Sequence, residues 1–237
     1  MTRQIVLDTE TTGLEPSQGH RIIEIGCVEM IDRRLTGEHF HVYINPERDI
    51  DDGALAVHGI SNDFLRDKPV FKEVIQPFLD YLGNSELIIH NAAFDVGFIN
   101  NELKLAKSRS YPIEKSCAIL DTLLLAKEKH PRQKNNLDAL CKRYGIDNSH
   151  RELHGALLDS EILALVYLAM TGGQEDMFAM EESATNGTTA GFDTASLASS
   201  STNEQLTSRK AYKVIKANDA ELARHQKFIT SNNLTEE

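Results

Sequence analysis

Ile5-Val6-Leu7 runs without a break into Asp8-Thr9-Glu10-Thr11-Thr12-Gly13, so a short apolar strand must end in two carboxylates. Side chains two apart on a strand share a face, which aims Asp8 and Glu10 at one point. Like charges about 4 Å apart repel by roughly 4 kcal/mol at an effective dielectric near 20, and a bound cation removes that cost. An isolated Asp-x-Glu reads first as a solvated edge strand. Two further acidic stretches in matching order argue against the bland reading. They are His90-Asn91-Ala92-Ala93-Phe94-Asp95-Val96-Gly97-Phe98 and His154-Gly155-Ala156-Leu157-Leu158-Asp159.

The pattern between these stretches predicts an α/β chain. Residues 4–9, 20–31 and 39–44 read as strands, with a polar turn over 32–37 and a stop at Asn45-Pro46. Helical patterns follow at 52–58, 61–66 and 71–82, where Pro77 marks a kink or boundary. A buried strand at 87–90 precedes a helix over 92–106, and a strand near 117–120 precedes a helix over 121–129. Helices over 137–144 and 156–170 complete the series, the first closing at Gly145. Three early strands followed by alternating strands and helices imply a mixed central sheet flanked by helices. Cys27, Cys117 and Cys141 form no CxxC pair and read as reduced core thiols.

The carboxylates differ in setting. Asp95 falls in the first turn of its helix, where the helix dipole alone could account for an acid. Asn91, just before it, reads as an N-cap with a substrate contact as a second role. His154 and Asp159 are five apart, about 140° out of register on a helix, so His154 must sit in the loop before the helix that carries Asp159. A loop histidine with a pKa near 6.5 suits the work of a general base. His150-Arg151-Glu152-Leu153-His154 is not a zinc motif, because its Glu is third where HExxH puts it second.

Over residues 4–170 the three motifs resemble those of the histidine-bearing DEDD exonucleases, a superfamily with an RNase H-like fold. The resemblance implies that Asp8, Glu10, Asp95 and Asp159 bind two Mg²⁺ or Mn²⁺ ions and that His154 is the general base. It also implies release of nucleoside 5′-monophosphates from a 3′ end, with Thr11, Val57, His58 and Asn91 around the terminal nucleotide beside Asp8, Glu10 and Asp159. For Val57 ordinary core packing is the plain alternative, and for His58 a surface or capping role. Asp159-Ser160 departs from the commoner Asp-Ala and leaves the ligand intact.

Asp121-Thr122-Leu123, Asn136-Leu137-Asp138-Ala139-Leu140 and Arg143-Tyr144-Gly145 narrow the resemblance to the epsilon-type proofreading subunits of bacterial DNA polymerase III. On that reading residues 1–173 are the exonuclease domain. Residues 174–178 are a sliding-clamp-binding motif with Gln174, Met177 and Phe178 as its anchors. Residues 179–208, rich in Ala, Gly, Ser and Thr, are a flexible linker. Residues 209–237 are a segment docking on the polymerase alpha subunit through Tyr212, Val214, Ile215, Leu222, Phe228 and Ile229. Expected partners are a single-stranded or frayed DNA 3′ end, the alpha subunit, the clamp and a small theta-like subunit. The net charge of −11 argues against DNA capture by counterion release alone and for a partner that delivers the substrate. No apolar run is long enough to span a membrane, and the expected location is the cytoplasm. Two rival readings are an oligoribonuclease or RNA-trimming exonuclease on the same fold, and a non-catalytic adaptor between clamp and polymerase.

Overall fold

The computed structural model describes residues 2–151 and 153–172. The clamp motif (Gln174, Met177, Phe178), the linker and the docking anchors from Tyr212 to Ile229 lie outside the described residues. In chain order the elements are β1 (Arg3–Thr11), β2 (Ile22–Ile31), β3 (Arg34–Tyr43), α1 (Asp52–His58), α2 (Asn62–Leu65), α3 (Phe71–Leu82), β4 (Glu86–Ile89), α4 (Ala92–Leu105), β5 (Ile119–Asp121), α5 (Thr122–Lys129), α6 (Leu137–Tyr144) and α7 (Ala156–Thr171).

The five strands form one sheet in the order β3-β2-β1-β4-β5. β1 pairs antiparallel with β2 and parallel with β4, so the sheet is mixed as expected. Period-two alternation along β1 splits its apolar residues between two layers. Ile5 and Leu7 face α3 and α4 through Phe78, Leu82, Phe98, Ile99 and Leu103. Val6 faces the opposite side with Val28, Met30 and Ile88, against Leu163, Ala164 and Tyr167 of α7. A third cluster joins α5 and α6 to the outer side of α7 through Ala126, Leu140, Ile162 and Val166. Packed on two sides, α7 is apolar nearly all round for that reason. Cys27, Cys117 and Cys141 are buried and free. Among the described residues no helix is long and apolar enough to cross a membrane.

One expectation changes. The polar stretch 32–37 is mostly strand: only Asp32 and Arg33 turn the chain, both at positive φ (48° and 64°), and β3 begins at Arg34. Residues 34–39 are exposed along the sheet edge, which erases the alternation that would have marked them. Pro77 lies inside α3, whose span matches the expected helix.

The start of α7 sits directly on β2 at Gly26, where an added Cβ would come within 2.2 Å of the Ala156 carbonyl carbon and the Leu157 nitrogen. Ser160 donates to the Gly26 carbonyl at 2.9 Å, fixing the same contact. Gly26→Val should cost about 1–3 kcal/mol through overpacking against backbone, and should lower nuclease activity further by displacing α7. Chemical denaturation beside an exonuclease assay checks this; wild-type values for both would refute the contact's importance.

Candidate active site

The site forms at the C-terminal ends of the parallel pair β1 and β4, where open α/β sheets leave a crevice. β1 delivers Asp8 and Glu10 on the face that carries Val6. A shift of register between Glu10 and Thr11 bends the strand end beside them. Glu24 of β2 is paired directly opposite Glu10 and is buried. Its carboxylate accepts from the Ala156 amide at 3.2 Å and pairs with His41 at 2.7 Å. Glu24 thereby ties the first turn of α7, and so Asp159, to the sheet.

Asp95 reaches the site from the first turn of α4. Its Oδ1 accepts from the Thr9 amide (3.0 Å) and the Thr9 hydroxyl (2.7 Å), which locks α4 to β1. Asn91 occupies the N-cap position of α4 in the left-handed region (φ 66°), and its side chain makes no capping bond, contrary to expectation. Asp121 does that work: its carboxylate accepts from the Asn91 and Ala92 amides at 3.3 and 3.1 Å. The same group caps α5 through Leu123 and Leu124, so one carboxylate holds the starts of two helices.

His154 lies in the loop before α7 as the spacing required, exposed, its amide donating to the Val57 carbonyl at 3.1 Å. Thr11 is buried with its hydroxyl on the Gly13 carbonyl. Val57 is 44% exposed and faces the cleft instead of the core. His58 is buried; its Nδ1 accepts from the Ile60 amide, and its Nε2 has no partner.

Asp8, Glu10, Thr11, Val57, His58, Asn91, Asp95 and His154 line one cleft of about 500 Å³. An adjoining cleft of about 520 Å³ shares Asp8, Asn91 and His154 and adds Asp159, Arg151, Asp138 and Lys127. Every site residue expected in the catalytic domain therefore borders one continuous region. His90 and Asp138, quoted within motifs but given no role there, also line the clefts, as does Arg151, and Glu24 lies buried opposite Glu10. Only strand register reveals Glu24, and only the folded loop reveals Arg151.

Buried carboxylates crowd this region and repel one another. Desolvation, then Asp95, Glu10 and Asp159, hold the Asp8 carboxyl well above its ordinary range. Glu10 is pushed up to about 8 by desolvation, followed by Asp159 and Glu24. Asp95 is pushed to about 7 by desolvation, against the pull of its Thr9 bonds. Glu10, His154 and Asp159 present ligand atoms all within 4.8 Å of one another. Carboxylate oxygens at close quarters suit hard divalent ions.

A raised carboxyl pKa stabilises the fold fully below its unfolded value and loses that contribution as pH climbs through the folded value. For Glu10 the window runs from 4.5 to about 8, and for Asp95 from 3.8 to about 7. In EDTA the melting temperature should fall as pH rises across these windows. Excess Mg²⁺ or Mn²⁺ should flatten the slope. A pH-independent melting temperature in EDTA would contradict the mutual repulsion described here.

Fold and site together define a nuclease class: a family model described as "Exonuclease" matches residues 5–167. In architecture the chain is similar to exonuclease I (TM-score 0.62, 18% identity, 78% of this chain), although it spans only 44% of that chain. It is also similar to a 3′-exonuclease that recognises the histone mRNA stem-loop (TM-score 0.61, 21% identity, 72% of this chain and 64% of that one). Both likenesses support the RNase H-like exonuclease fold. In sequence it is 47% identical to a protein named DNA polymerase III subunit epsilon from Rickettsia felis, over 97% of this chain and 96% of that protein. It is 56% identical to the protein of that name from Escherichia coli K12, over 76% of each. The chain belongs to the family of DNA polymerase III epsilon subunits, within the exonucleases.

Proposed function

We propose that this chain removes mispaired nucleotides from DNA primer 3′ ends by phosphodiester hydrolysis, as the proofreading 3′–5′ exonuclease of a DNA polymerase III core. The observation that carries the reading is the convergence of Asp8, Glu10, Asp95, Asp159 and His154 on one region in a chain of epsilon descent. Asp8, Glu10, Asp95 and Asp159 would hold two divalent cations, Mg²⁺ or Mn²⁺. When bound, these neutralise charge on the scissile phosphate and on the departing 3′ oxygen.

The remaining work falls to the protein's own side chains. His154 takes the proton of the attacking water at the ring nitrogen that faces Asp159, Nδ1, which lies 3.5 Å from Asp159 Oδ2. Desolvation, then the nearby Arg151 guanidinium, holds its pKa below the ordinary value, so the ring is neutral and ready to accept at pH 7. Thr11, Val57, His58 and Asn91 surround the terminal nucleotide. The half-exposed Val57 offers an apolar surface for a base or sugar, and the buried His58 stands behind it.

A frayed mispaired end reaches such a cleft without an unpairing cost, which gives the preference for errors. The acidic net charge fits a nuclease held beside its substrate by partners, because tethering replaces intrinsic affinity with effective concentration. The alpha subunit, engaged by residues 209–237, and the sliding clamp, engaged by Gln174, Met177 and Phe178, are the proposed tethers. A small theta-like subunit is a third proposed partner.

The test follows a 5′-labelled primer with a mispaired 3′ end, in Mg²⁺ and in EDTA, beside a short RNA. Metal-dependent shortening of the DNA with RNA degraded poorly is expected. Preferential loss of RNA would favour an RNA trimmer, and no cleavage of either would favour an adaptor. Deleting 209–237 should abolish co-elution with the alpha subunit while free exonuclease activity persists. Continued co-elution would refute the docking assignment.

A further inference from the structure

Among the described residues of this region, Arg151 is a strongly placed group to which the proposed chemistry gives no direct part. Its side chain is only 7% exposed, although it belongs to the irregular segment before α7. The guanidinium grips Asp159 with two prongs, Nε on Oδ1 and Nη2 on Oδ2, the latter at 2.7 Å. Nη1 donates to Asp138 Oδ1 at 2.9 Å, at the start of α6. Nη2 also lies 3.0 Å from Nδ1 of His154.

These contacts have a chemical consequence. A guanidinium has five N–H donors and no acceptor, so the His154 nitrogen facing it must present its lone pair. Both oxygens of Asp159 and the proton-accepting nitrogen of His154 are therefore engaged by one side chain. The positive charge stands among Asp8, Glu10 and Asp159 and offsets part of their repulsion. A divalent ion on the same Asp159 oxygens and a guanidinium at contact distance would repel each other strongly. Asp138 offers an alternative anchor at the rim, its side chain 56% exposed.

We propose that Arg151 stands in for the cation in the metal-free protein and yields that place on metal loading, moving toward Asp138 and releasing Asp159 and His154 Nδ1 together. The inference rests on reading Asp159 as a metal ligand and His154 as the base. Arg151 is then a positioning residue. It holds an acidic cluster together without metal and keeps the base engaged until the site is loaded, so that competence for hydrolysis follows metal occupancy.

The test is Mn²⁺ binding by calorimetry to the full chain as wild type, Arg151→Lys and Arg151→Gln, with each protein's melting temperature recorded in EDTA. Loss of a two-pronged charged bond predicts Mn²⁺ binding about tenfold tighter in both variants, and a lower melting temperature in EDTA. A fixed positive charge that never moves would leave Arg151→Lys at wild-type affinity, and that result overturns the proposal. Weaker binding in both variants overturns it as well, because Arg151 would then support the loaded site. If Arg151→Gln does not fold, Arg151→Lys decides alone, since it keeps the charge and loses the fork. Absence of Mn²⁺ uptake by the wild type would overturn the metal site and the proposal together. Uptake by the wild type without tightening in either variant overturns the role of Arg151 only.

Discussion

Asp8→Asn should yield a folded protein that melts higher than wild type in EDTA and retains less than about 0.1% of its exonuclease activity. Both halves come from one cause. Asp8 faces Asp95, Glu10 and Asp159 in a desolvated setting that holds its carboxyl well above the ordinary range. Without a cation that arrangement is a standing cost, and a neutral amide of the same shape removes part of it. On the proposed function the same arrangement would hold the cation, and an amide oxygen carries no charge to hold the ion. Asp159→Asn is a less clean experiment, because it strips the buried Arg151 of its two-pronged partner and leaves a charge uncompensated, at a cost of about 3–5 kcal/mol. Thermal melting in EDTA and in Mg²⁺, beside primer shortening, separates the two effects. An Asp8→Asn protein that is fully active would remove Asp8 from the site.

His154→Gln should lower turnover by about 10²–10⁴-fold while KM changes only a few-fold. The side chain is on the loop and exposed, so its loss leaves the core and the α7 contacts intact. The diagnostic readout is the pH profile. The wild-type rate should decline on the acid side, below the ordinary histidine range because desolvation holds the His154 pKa down. In the Gln protein that limb should disappear along with most of the rate. An unchanged turnover, or an acid limb that survives the substitution, would rule His154 out as the base.

Much of this was legible in the chain because the relevant signals are local. The apolar run before Asp8, the spacing that puts His154 off the helix carrying Asp159, and the Gly145 stop of α6 each depend on a handful of neighbours. Those elements stand in the structure within a residue or two. What failed locally did so because long-range contacts decide it. Residues 34–39 are strand through pairing with β2, although their polarity reads as turn. Asn91 has the composition of a cap, yet Asp121, thirty residues on, supplies the bonds. Glu24 is one of two acids in its strand until register sets it against Glu10. Arg151 in sequence is one basic residue near two histidines, and only the folded loop brings it onto Asp159.

The packing of α7 has a consequence for how the protein is made. A nascent chain that has reached residue 150 already carries Asp8, Glu10 and Asp95, but neither His154 nor Asp159. It also lacks the helix that covers Val6, Met30 and Ile88, so one face of its sheet is bare. The segment that closes the core is the one that delivers Asp159 and His154. A product terminated before α7 therefore lacks Asp159, His154 and the cover of one sheet face together.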